Sequence, residues 1–518
     1  MSGLPVLSGT LEELLAGDAL SSLLEAQLPR WRWFAAKTRK LAGIGLRPLA
    51  SVPLPGGRTL VLTQLRAHFT EGGHHDYCLP LTLLPLEQAA TLPEPVALAR
   101  VHSPAGDTLL VDALADPVCA NALLDLIAAG GRLTGPGGTL RAHWQGELPP
   151  PQRDPQLLRG EQSNSAIRYG DQFFLKLYRR LVPGPNPDLE VSRFLTDRQF
   201  PATPPLRGWL ELWPAQGEPS HLAVVHAFVL HQGDGWTVTL AILARFLAHR
   251  TGECRLPPPP STLEKPSALP GDVAATLAET LPFVRQLGYW TATLHRTLAS
   301  APDDPAFAPA RATPAGQRAL VADLRARWRR LRQLLGRRTL PSPAQADAEA
   351  LLAAEARFRQ QVARLEALRP VQIRCHGDLH LGQVLIREGL PLFIDFEGEP
   401  ARPLAERRAK HSPLRDVAGM LRSFHYAAAT AGLGNPWASW WQGWASTAYL
   451  AAYLEQAHGA PFLPAAPEET TALLTGFLLE KALYEVEYEL DHRPDWVALP
   501  LAGLRQLLEH CAQEAGTD

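Results

Sequence analysis

Hydrophobic and polar positions divide the chain into a strand-rich first part and a helical second part. Leu11–Leu28 carries leucines at helical spacing, whereas segments such as Thr59–Leu65 alternate between apolar and polar residues. Alternation of this kind, bounded by glycine and proline, predicts antiparallel strands. The glycine-rich stretch Gly130–Gly138 and the prolines of Pro149–Pro155 then interrupt the pattern. We therefore predict a β-rich N-terminal domain over residues 1–150.

Residues 151–235 have the pattern of a small β-rich lobe. Ser165–Tyr169 and Gln172–Tyr178 are rich in apolar residues and flank the pair Gly170-Asp171, which is typical of a tight hairpin turn. The other elements predicted here are a short amphipathic helix, Leu189–Arg198, and a strand, His221–Leu230.

From residue 236 onward, apolar residues recur every three or four positions, which is the period of an amphipathic helix. The clearest stretches are Phe283–Leu298, Arg318–Leu335 and Ala348–Leu368. The proline-rich stretch Pro257–Pro270 interrupts them, and we expect it to be a surface insertion. We predict an α+β chain whose third part, residues 236–518, is a large helical lobe.

Arg318–Arg338 contains eight arginines, which raises the alternative of a nucleic-acid-binding segment. The apolar residues of this stretch share one helical face, however, so the arginines are expected to be the solvated side of an ordinary amphipathic helix. The face consists of Leu320, Leu324, Trp328, Leu331 and Leu335.

Composition excludes several classes of protein. The 518 residues include 50 Lys and Arg against 52 Asp and Glu, and the resulting charge of −2 argues against a nucleic-acid partner. The five cysteines are dispersed without a C-x-x-C pair, which is typical of reduced thiols in the cytoplasm. We expect no membrane span, since no apolar run reaches about 18 residues. We also expect no secretory signal, because the N-terminus lacks a basic region.

The stretch Ile373–Pro400 carries the strongest chemical signal, and it reads IRCHGDLHLGQVLIREGLPLFIDFEGEP. It begins with a His-Gly-Asp triplet ending at Asp378, continues to Gln383, and has Asp395 at the end of an apolar run that predicts a strand. Protein kinases have H-R-D-x-x-x-x-N followed by D-F-G. The spacing from Asp378 to Gln383 copies the first of these motifs, with Gln in place of Asn.

These residue types suit phosphoryl transfer. A lone His-Gly-Asp could equally be a turn whose aspartate caps a helix. The combination favours a kinase-like site, because magnesium prefers oxygen ligands and the acceptor hydroxyl needs a carboxylate beside it. We predict Asp378 as the catalytic base and Gln383 and Asp395 as Mg²⁺ ligands.

The small lobe supplies candidate groups for the nucleotide phosphates. Lys176 lies between apolar residues on the second strand of the hairpin, so an inward-facing ammonium would need an anionic partner. Glu190, on the following helix, is the expected partner, as in the lysine–glutamate pair of kinases. The alternative is that both side chains are solvated. The loop Gly160–Ser165 is no standard phosphate motif, but three of its residues could contact a phosphate: Ser163, Asn164 and Ser165.

With these motifs the chain resembles the maltokinases, which are sugar kinases on the aminoglycoside-phosphotransferase-like fold. The resemblance extends over nearly the whole chain, and its most specific parts are Gly184–Glu190 and Ile394–Pro400. It implies a bilobal, protein-kinase-like fold with a cap domain over 1–150, a small lobe over 151–235 and a helical lobe over 236–518. The other matching stretches are Arg32–Lys37, Glu161–Asn164, Lys176–Arg180, Gln232–Trp236, His376–Gln383, Ser412–Met420 and Glu480–Glu485.

The resemblance implies ATP-dependent phosphorylation of maltose at its anomeric hydroxyl, giving maltose 1-phosphate and ADP in trehalose and glycogen metabolism. The implied cofactors are ATP and Mg²⁺, and we expect a cytoplasmic monomer. Some such kinases are fused to trehalose synthase. No such domain fits here, which leaves a separate trehalose synthase as a candidate partner. A related kinase phosphorylates glucosamine, so that sugar is one alternative; an inactive ATP-binding scaffold for a trehalose-converting partner is another.

The sugar is expected on the helical lobe, where carboxylates, arginines and aromatic rings can hold a polyol. Tyr484, Glu487 and Tyr488 share a helical face at the required spacing. The alternative is an ordinary helix with core aromatics. Asp416 is expected to brace the catalytic loop, and Arg422 is a weaker candidate. The predicted substrate-binding set is His380, Glu397, Tyr484, Glu485, Tyr488, Arg493 and Trp496.

Overall fold

A computed structural model describes residues 4–514 of the chain, except 90–96, 104–105, 152, 159–162, 249, 251, 253, 260–268, 339, 343, 401 and 433. It divides the chain into two units. Unit 1 consists of Met1–Thr196 and Pro204–Leu230, and unit 2 consists of Asp197–Thr203 and His231–Asp518.

Unit 1 contains two seven-stranded sheets. The first has the order β1-β5-β6-β4-β3-β2, with β12 pairing with β4, and its neighbours are antiparallel except for the parallel pair β1–β5. Its strands are β1 (Val6–Ser8), β2 (Leu41–Pro53), β3 (Thr59–Phe69), β4 (His74–Pro85), β5 (Ala97–Ser103), β6 (Gly106–Asp112) and β12 (Arg180–Leu181).

The second sheet has the order β7-β8-β13-β14-β11-β10-β9 and is antiparallel in the pairs β7–β8, β8–β13, β13–β14, β14–β11, β11–β10 and β10–β9. The predicted hairpin is confirmed, since β10 and β11 pair across Gly170 and Asp171. This sheet takes strands from both sides of residue 150, which is the predicted boundary between the cap domain and the small lobe. The three-part domain division stays a prediction. Its strands are β7 (Gly131–Gly135), β8 (Gly138–Trp144), β9 (Pro155–Leu158), β10 (Ser165–Tyr169), β11 (Phe173–Leu177), β13 (Leu206–Trp213) and β14 (Ser220–Ala227).

The helices of unit 1 cover its sheets. The predicted Leu11–Leu28 helix is two helices broken at Gly17, and their leucines pack on one face of the first sheet. A second core joins both sheets through Leu62, Leu123 and Leu175. The helices are α1 (Leu11–Ala16), α2 (Asp18–Gln27), α3 (Leu86–Ala89), α4 (Pro117–Ala129) and α5 (Pro187–Asp197).

Unit 2 is mainly helical and contains two short strand pairs. The strands are β15 (Ala310–Arg311) with β16 (Val371–Gln372), and β17 (Val384–Arg387) with β18 (Leu390–Phe393). The helices are α6 (Gly235–Leu247), α7 (Gly271–Thr276), α8 (Thr280–Leu298), α9 (Pro314–Leu335), α10 (Ala344–Ala353), α11 (Glu355–Ala367), α12 (Leu404–Arg407), α13 (Leu414–Ala429), α14 (Pro436–Ala457), α15 (Pro467–His492) and α16 (Ala498–Glu514).

The arginine-rich segment forms α9, and its apolar face is buried as predicted, although Leu320 is only partly covered. Arg327 is an exception on this helix, because it is largely buried and lines a cavity described below. The segment Ala348–Leu368 was predicted as one helix but is divided between α10 and α11. Of the proline-rich insertion, residues 260–268 lie outside the described residues, while the Pro257 carbonyl accepts a hydrogen bond from the Trp440 indole at 2.8 Å.

No helix among the described residues is both long and apolar enough to cross a membrane. The cysteines whose side chains are described, Cys78, Cys119, Cys254 and Cys375, are free thiols. Cys375 is buried on the segment that enters the His-Gly-Asp loop, as predicted, and burial raises the pKa of its thiol.

Candidate active site

The His-Gly-Asp loop is fixed by a buried carboxylate on α13. Asp416 accepts hydrogen bonds from the backbone N–H groups of His376 at 2.8 Å and Gly377 at 3.0 Å. His295 of α8 contacts the same carboxylate at 3.1 Å through Nε2, and its Nδ1 lies 3.0 Å from the Tyr453 hydroxyl. Burial acts to raise the pKa of Asp416, but these hydrogen bonds hold it below the ordinary value. The predicted bracing role of Asp416 is confirmed.

Two glycines allow the His-Gly-Asp loop to approach the loop after β18. Gly377 has φ +88° and Gly398 has φ +72°, which is the left-handed region that favours glycine. A Cβ at Gly377 would lie 3.3 Å from the Gly398 Cα. His376 also joins the two loops, because its Nε2 lies 2.9 Å from the carbonyl oxygen of Ile394. A side chain at Gly377 would therefore push the two loops apart by a few tenths of an ångström.

The two predicted metal ligands lie next to each other. Gln383 Nε2 is 3.1 Å from Asp395 Oδ2. Asp395 has φ +64°, an uncommon value for a residue other than glycine, and it follows directly after the β17–β18 hairpin. His380 caps the short 3₁₀ turn Leu381–Gln383, since its Nδ1 accepts from the Gly382 N–H at 3.1 Å. Burial lowers the pKa of His380, which favours the neutral ring that this acceptor role requires.

Lys481 is a site residue that the sequence reasoning missed. It lies on α15, 103 positions after Asp378, and its Nζ is 3.2 Å from Asp378 Oδ1 and 3.5 Å from Glu399 Oε1. Burial acts to lower the pKa of Lys481, yet the carboxylates of Asp378 and Glu399 raise it overall. The amine therefore stays charged beside the predicted catalytic carboxylate. The only signal in the sequence was that Lys481 falls within the matching stretch Glu480–Glu485.

A network of arginines and carboxylates extends from this pair. Arg402 Nη2 lies 2.9 Å from Glu480 Oε1, and Arg415 Nη2 lies 3.1 Å from the same oxygen. Glu399 is contacted by both arginines. Burial acts to raise the pKa of Glu399, but Lys481 and the arginines lower it to about 2. Together with Asp378 and Lys481, these side chains line a narrow pocket that also includes Arg327, Phe477 and Tyr484.

The structure divides the predicted sugar contacts into two groups. Tyr484 lines the narrow pocket, and Tyr488 lines a wider cleft that adjoins it, so these two lie where a sugar could bind. Glu487, which shares their helical face, also lines the cleft. His380 lies on the catalytic loop and caps the turn at Gln383, as described above. Glu397 follows Asp395 by two residues, and its Oε2 lies 3.7 Å from Arg407 Nη1.

Three predicted sugar contacts on or after α15 lie outside the pocket and the cleft, and their role in sugar binding stays a prediction. Glu485 points away from the pocket and forms a buried ion pair with Arg422 of α13, with Oε2 at 2.6 Å from Nη2. Arg493 pairs with Glu489 at 2.7 Å, and Trp496 lies beside Arg493 on the short turn after the helix. None of the three lines the pocket or the cleft. One residue turns a helix by about 100°, which is why Glu485 cannot share the face of Tyr484.

In unit 1, the predicted lysine is buried and paired with a carboxylate. Lys176 Nζ lies 3.0 Å from Asp188 Oδ2, and the Tyr178 hydroxyl donates to the same oxygen at 2.9 Å. Asp188, on the buried face of α5, is therefore a partner of Lys176 that the sequence did not indicate. The pairing of Lys176 with Glu190, which is partly exposed, stays a prediction. Burial acts to raise the pKa of Asp188, and Lys176 lowers it overall.

Two of the three predicted phosphate contacts before the hairpin accept hydrogen bonds from Arg179. Asn164 Oδ1 accepts from the Arg179 N–H at 3.3 Å, and Ser165 Oγ accepts from Arg179 Nε at 2.8 Å. Ser163 is exposed, whereas Gly160–Gln162 lie outside the described residues. Arg179 is itself buried, pairs with Asp112 of the first sheet and packs over the Trp33 ring at 4.9 Å. Asn164 and Ser165 thus hold the two sheets of unit 1 together, and phosphate binding by this loop stays a prediction.

Comparison with known proteins agrees with this architecture. Residues 28–116 match the family model of the maltokinase N-terminal cap domain. A glucosamine kinase of Mycolicibacterium smegmatis is 26% identical over 406 residues, which is 75% of this chain and 88% of the relative. A glucosamine kinase of Streptacidiphilus jiangxiensis is 28% identical over 359 residues, covering 67% of this chain and 72% of the relative.

A solved structure of similar fold carries the description "glucosamine kinase in complex with glucosamine, ADP and inorganic phosphate". It has a TM-score of 0.63 and 21% identity, and the match covers 94% of this chain and 99% of that one. The predicted fold class, a bilobal α+β kinase-like fold with an N-terminal cap, is confirmed. Residues 28–116 are, more particularly, similar to the maltokinase N-terminal cap domain, which is the family that the sequence motifs resemble.

Proposed function

We propose that the protein is an ATP-dependent sugar kinase. The observation that carries this proposal is the arrangement in unit 2, where Gln383 and Asp395 meet at 3.1 Å and the neighbouring Asp378 loop is held by Asp416. Phosphoryl transfer needs a carboxylate beside the acceptor hydroxyl and oxygen ligands for magnesium, and these loops offer both. The similarity to two glucosamine kinases supports the same class of reaction.

Asp378 is proposed to orient the acceptor hydroxyl and to take up its proton. One carboxylate oxygen, Oδ1, lies 3.2 Å from Lys481 Nζ, which fixes the rotation of the carboxylate. The charged amine also places a positive group next to the position where the transferred phosphoryl group would carry negative charge. Positioning and charge neutralisation supply most of the acceleration in reactions of this type.

The residues present fit a magnesium ion and a nucleotide. Gln383 and Asp395 offer the amide and carboxylate oxygens that Mg²⁺ prefers, and a 180° turn of the Gln383 amide would bring its oxygen to the side of Asp395. When bound, the ion would neutralise charge on the phosphate oxygens. In unit 1, Lys176, oriented by Asp188, is the proposed ligand of the nucleotide phosphates. The phosphate contact of Ser163 and the pairing of Glu190 with Lys176 stay predictions.

Maltose is the acceptor that we propose first, with transfer to its anomeric hydroxyl giving maltose 1-phosphate. The match of residues 28–116 to the maltokinase cap domain supports this choice. Glucosamine is the second candidate, since the two relatives described above are glucosamine kinases. If maltose is the acceptor, we also propose a role in trehalose and glycogen metabolism and a trehalose synthase partner.

An assay of ADP release across maltose, glucosamine, glucose and an aminoglycoside tests the proposal. We expect turnover with maltose, and turnover with glucosamine alone would select the second candidate. Asp378→Asn should lower turnover by about 10²–10⁴-fold, as expected for loss of a general base. Asp303→Asn, at an exposed position in a turn of unit 2, is the matched control and should leave turnover unchanged.

Two results would reject the kinase assignment. One is the absence of ADP release with every acceptor, which would favour an inactive nucleotide-binding scaffold. The other is near-normal turnover in Asp378→Asn, provided that its thermal unfolding matches that of Asp303→Asn. The unfolding comparison is needed because Asp378 also forms the ion pair with Lys481.

A further inference from the structure

A cleft of about 1060 Å³ opens from the narrow pocket of unit 2. The two share a wall, because Arg327, Glu399, Phe477 and Tyr484 line both. Pockets for small ligands usually measure about 300–1,000 Å³, so this space exceeds what one sugar ring beside Asp378 would need. The cleft is lined by residues of α9, of α15 and of the segment between Glu399 and Arg415.

Three aromatic side chains form a row along this cleft. Tyr484, Tyr488 and His492 follow one another at four-residue spacing on α15. The rings of Tyr484 and Tyr488 are 6.2 Å apart at 28°, and those of Tyr488 and His492 are 4.5 Å apart at 17°. Because a helix rises about 1.5 Å per residue, the row covers about 12 Å along the axis. We refer to these three residues as the aromatic row.

The aromatic row begins at the predicted catalytic carboxylate. Lys481 precedes Tyr484 by three residues, its Nζ lies 5.4 Å from the Tyr484 ring centroid, and the same Nζ contacts Asp378. At the other end, Tyr488 is 39% exposed although Tyr484 and His492 stack on it. The row therefore leads from the reaction centre outward along one face of α15.

Charged side chains beside the aromatic row supply hydrogen-bonding groups of both signs. Glu487 of α15 contacts two arginines of α9, with Oε2 at 3.3 Å from Arg327 Nη1 and Oε1 at 3.1 Å from Arg330 Nε. Asp323 and Asp491 add two further carboxylates to the lining. Carboxylates disfavour a polyanion such as a nucleic acid, and an acyl chain would leave all these charges desolvated. A ligand that combines apolar C–H groups with many hydroxyl groups suits both the aromatic rings and the charged groups, and a neutral oligosaccharide is such a ligand.

We propose that this cleft forms outer acceptor subsites, so that the protein binds oligosaccharides of at least three sugar rings. The inference rests on the proposed kinase function. The ring to be phosphorylated lies at the mouth of the narrow pocket, near Asp378 and Lys481. Because the rings of the aromatic row stack on one another, the second sugar lies against the edge of Tyr484 and the third against the edges of Tyr488 and His492. The chain beyond the phosphorylated end then extends outward along α15, and affinity increases with chain length up to the third ring.

The test compares glucose, maltose, maltotriose and maltotetraose as acceptors of the full-length protein. The KM should fall with each ring up to maltotriose and then level off. Tyr488→Ala removes the contact surface for the third ring and should raise the KM for maltotriose relative to that for maltose by about three- to tenfold. Tyr488→Phe keeps the ring and should preserve the length dependence. Tyr289→Ala, at a tyrosine of α8 that is 42% exposed and outside the cleft lining, is the matched control.

Calorimetric titration of the nucleotide-free protein with maltotriose separates this inference from the kinase proposal. If no sugar is phosphorylated but maltotriose binds to the protein and to Tyr289→Ala and not to Tyr488→Ala, the cleft assignment holds and the kinase assignment fails. If acceptors are phosphorylated but KM is independent of ring number, the cleft assignment is overturned. Equal effects of Tyr488→Ala and Tyr289→Ala on KM would overturn it as well.

Discussion

Replacement of Asp416 by asparagine should loosen the catalytic loop without changing the size of the side chain. In the native protein the carboxylate accepts two backbone hydrogen bonds from the loop, at 2.8 Å and 3.0 Å, and one from His295 at 3.1 Å. Asparagine has one acceptor oxygen and an NH₂ group, which is a donor. In either orientation of the amide, its NH₂ group faces the backbone N–H of His376 or of Gly377, which in the native protein donates to a carboxylate oxygen.

The size of the effect follows from burial and charge. Asp416 is 2% exposed, so water cannot replace the lost acceptor. Hydrogen bonds to a charged group contribute about 1.5–3 kcal/mol, and a buried donor left unpaired costs about 1–3 kcal/mol. We therefore expect the free energy of unfolding to fall by about 2–4 kcal/mol. A displacement of about 1 Å at Asp378 would in addition lower turnover by about 10²-fold.

Urea unfolding and turnover with the best acceptor, both measured at pH 7, check this prediction. Asp303→Asn is the control for a charge change at an exposed position. The account of the loop would be refuted if Asp416→Asn stayed within about 0.5 kcal/mol of the native free energy of unfolding, the range of neutral surface changes, and kept half of its turnover.

Two other predictions concern packing and pH. Gly419→Ala would place a Cβ 2.4 Å from the Leu379 carbonyl oxygen, so we expect a loss of about 1–3 kcal/mol in the free energy of unfolding and at least tenfold lower turnover. Gly271→Ala is the control, because its Cβ would meet nothing within 4 Å and should change neither quantity. Burial lowers the pKa of His411 to about 4, below the unfolded value of about 6.5. Stability from the neutral ring is therefore complete above pH 6.5 and is lost as pH falls towards 4. Between pH 7 and 5 the native protein should lose about 2 kcal/mol more than His411→Gln in urea unfolding, and equal losses would contradict this.

Local patterns predicted those parts of the site that lie close together in sequence. Asp378, Gln383 and Asp395 fall within one stretch, and the hairpin β17–β18 between the last two is short. Their proximity thus follows from strand and turn signals alone. The hairpin containing Lys176 was predictable for the same reason.

Helical register limits what spacing alone can predict. The carboxylates Asp188 and Glu190 are two residues apart, which places them about 200° apart around α5, and the contact of Asp188 with Lys176 is known only from the structure. Composition likewise grouped Tyr484 and Glu485, although adjacent residues point in different directions. Lys481 was missed for a different reason, because a single lysine far from Asp378 in sequence carries no spacing signal that connects the two.

One helix, α13, determines how Asp378 and Lys481 meet. Near its start, Asp416 holds the backbone of the His-Gly-Asp loop. Two turns later, Arg422 holds α15 through the buried ion pair with Glu485, which lies on the side of α15 away from the pocket. Lys481 precedes Glu485 by one helical turn, so the Arg422–Glu485 pair sets the position of Lys481 along α15 relative to the His-Gly-Asp loop. Because the His-Gly-Asp loop and α15 are both anchored to α13, this helix holds Asp378 and Lys481 at their 3.2 Å contact. The buried Arg422–Glu485 pair, of which the sequence placed only Glu485 in the predicted substrate-binding set, thus contributes to the site by positioning the helix that carries Lys481 and the aromatic row.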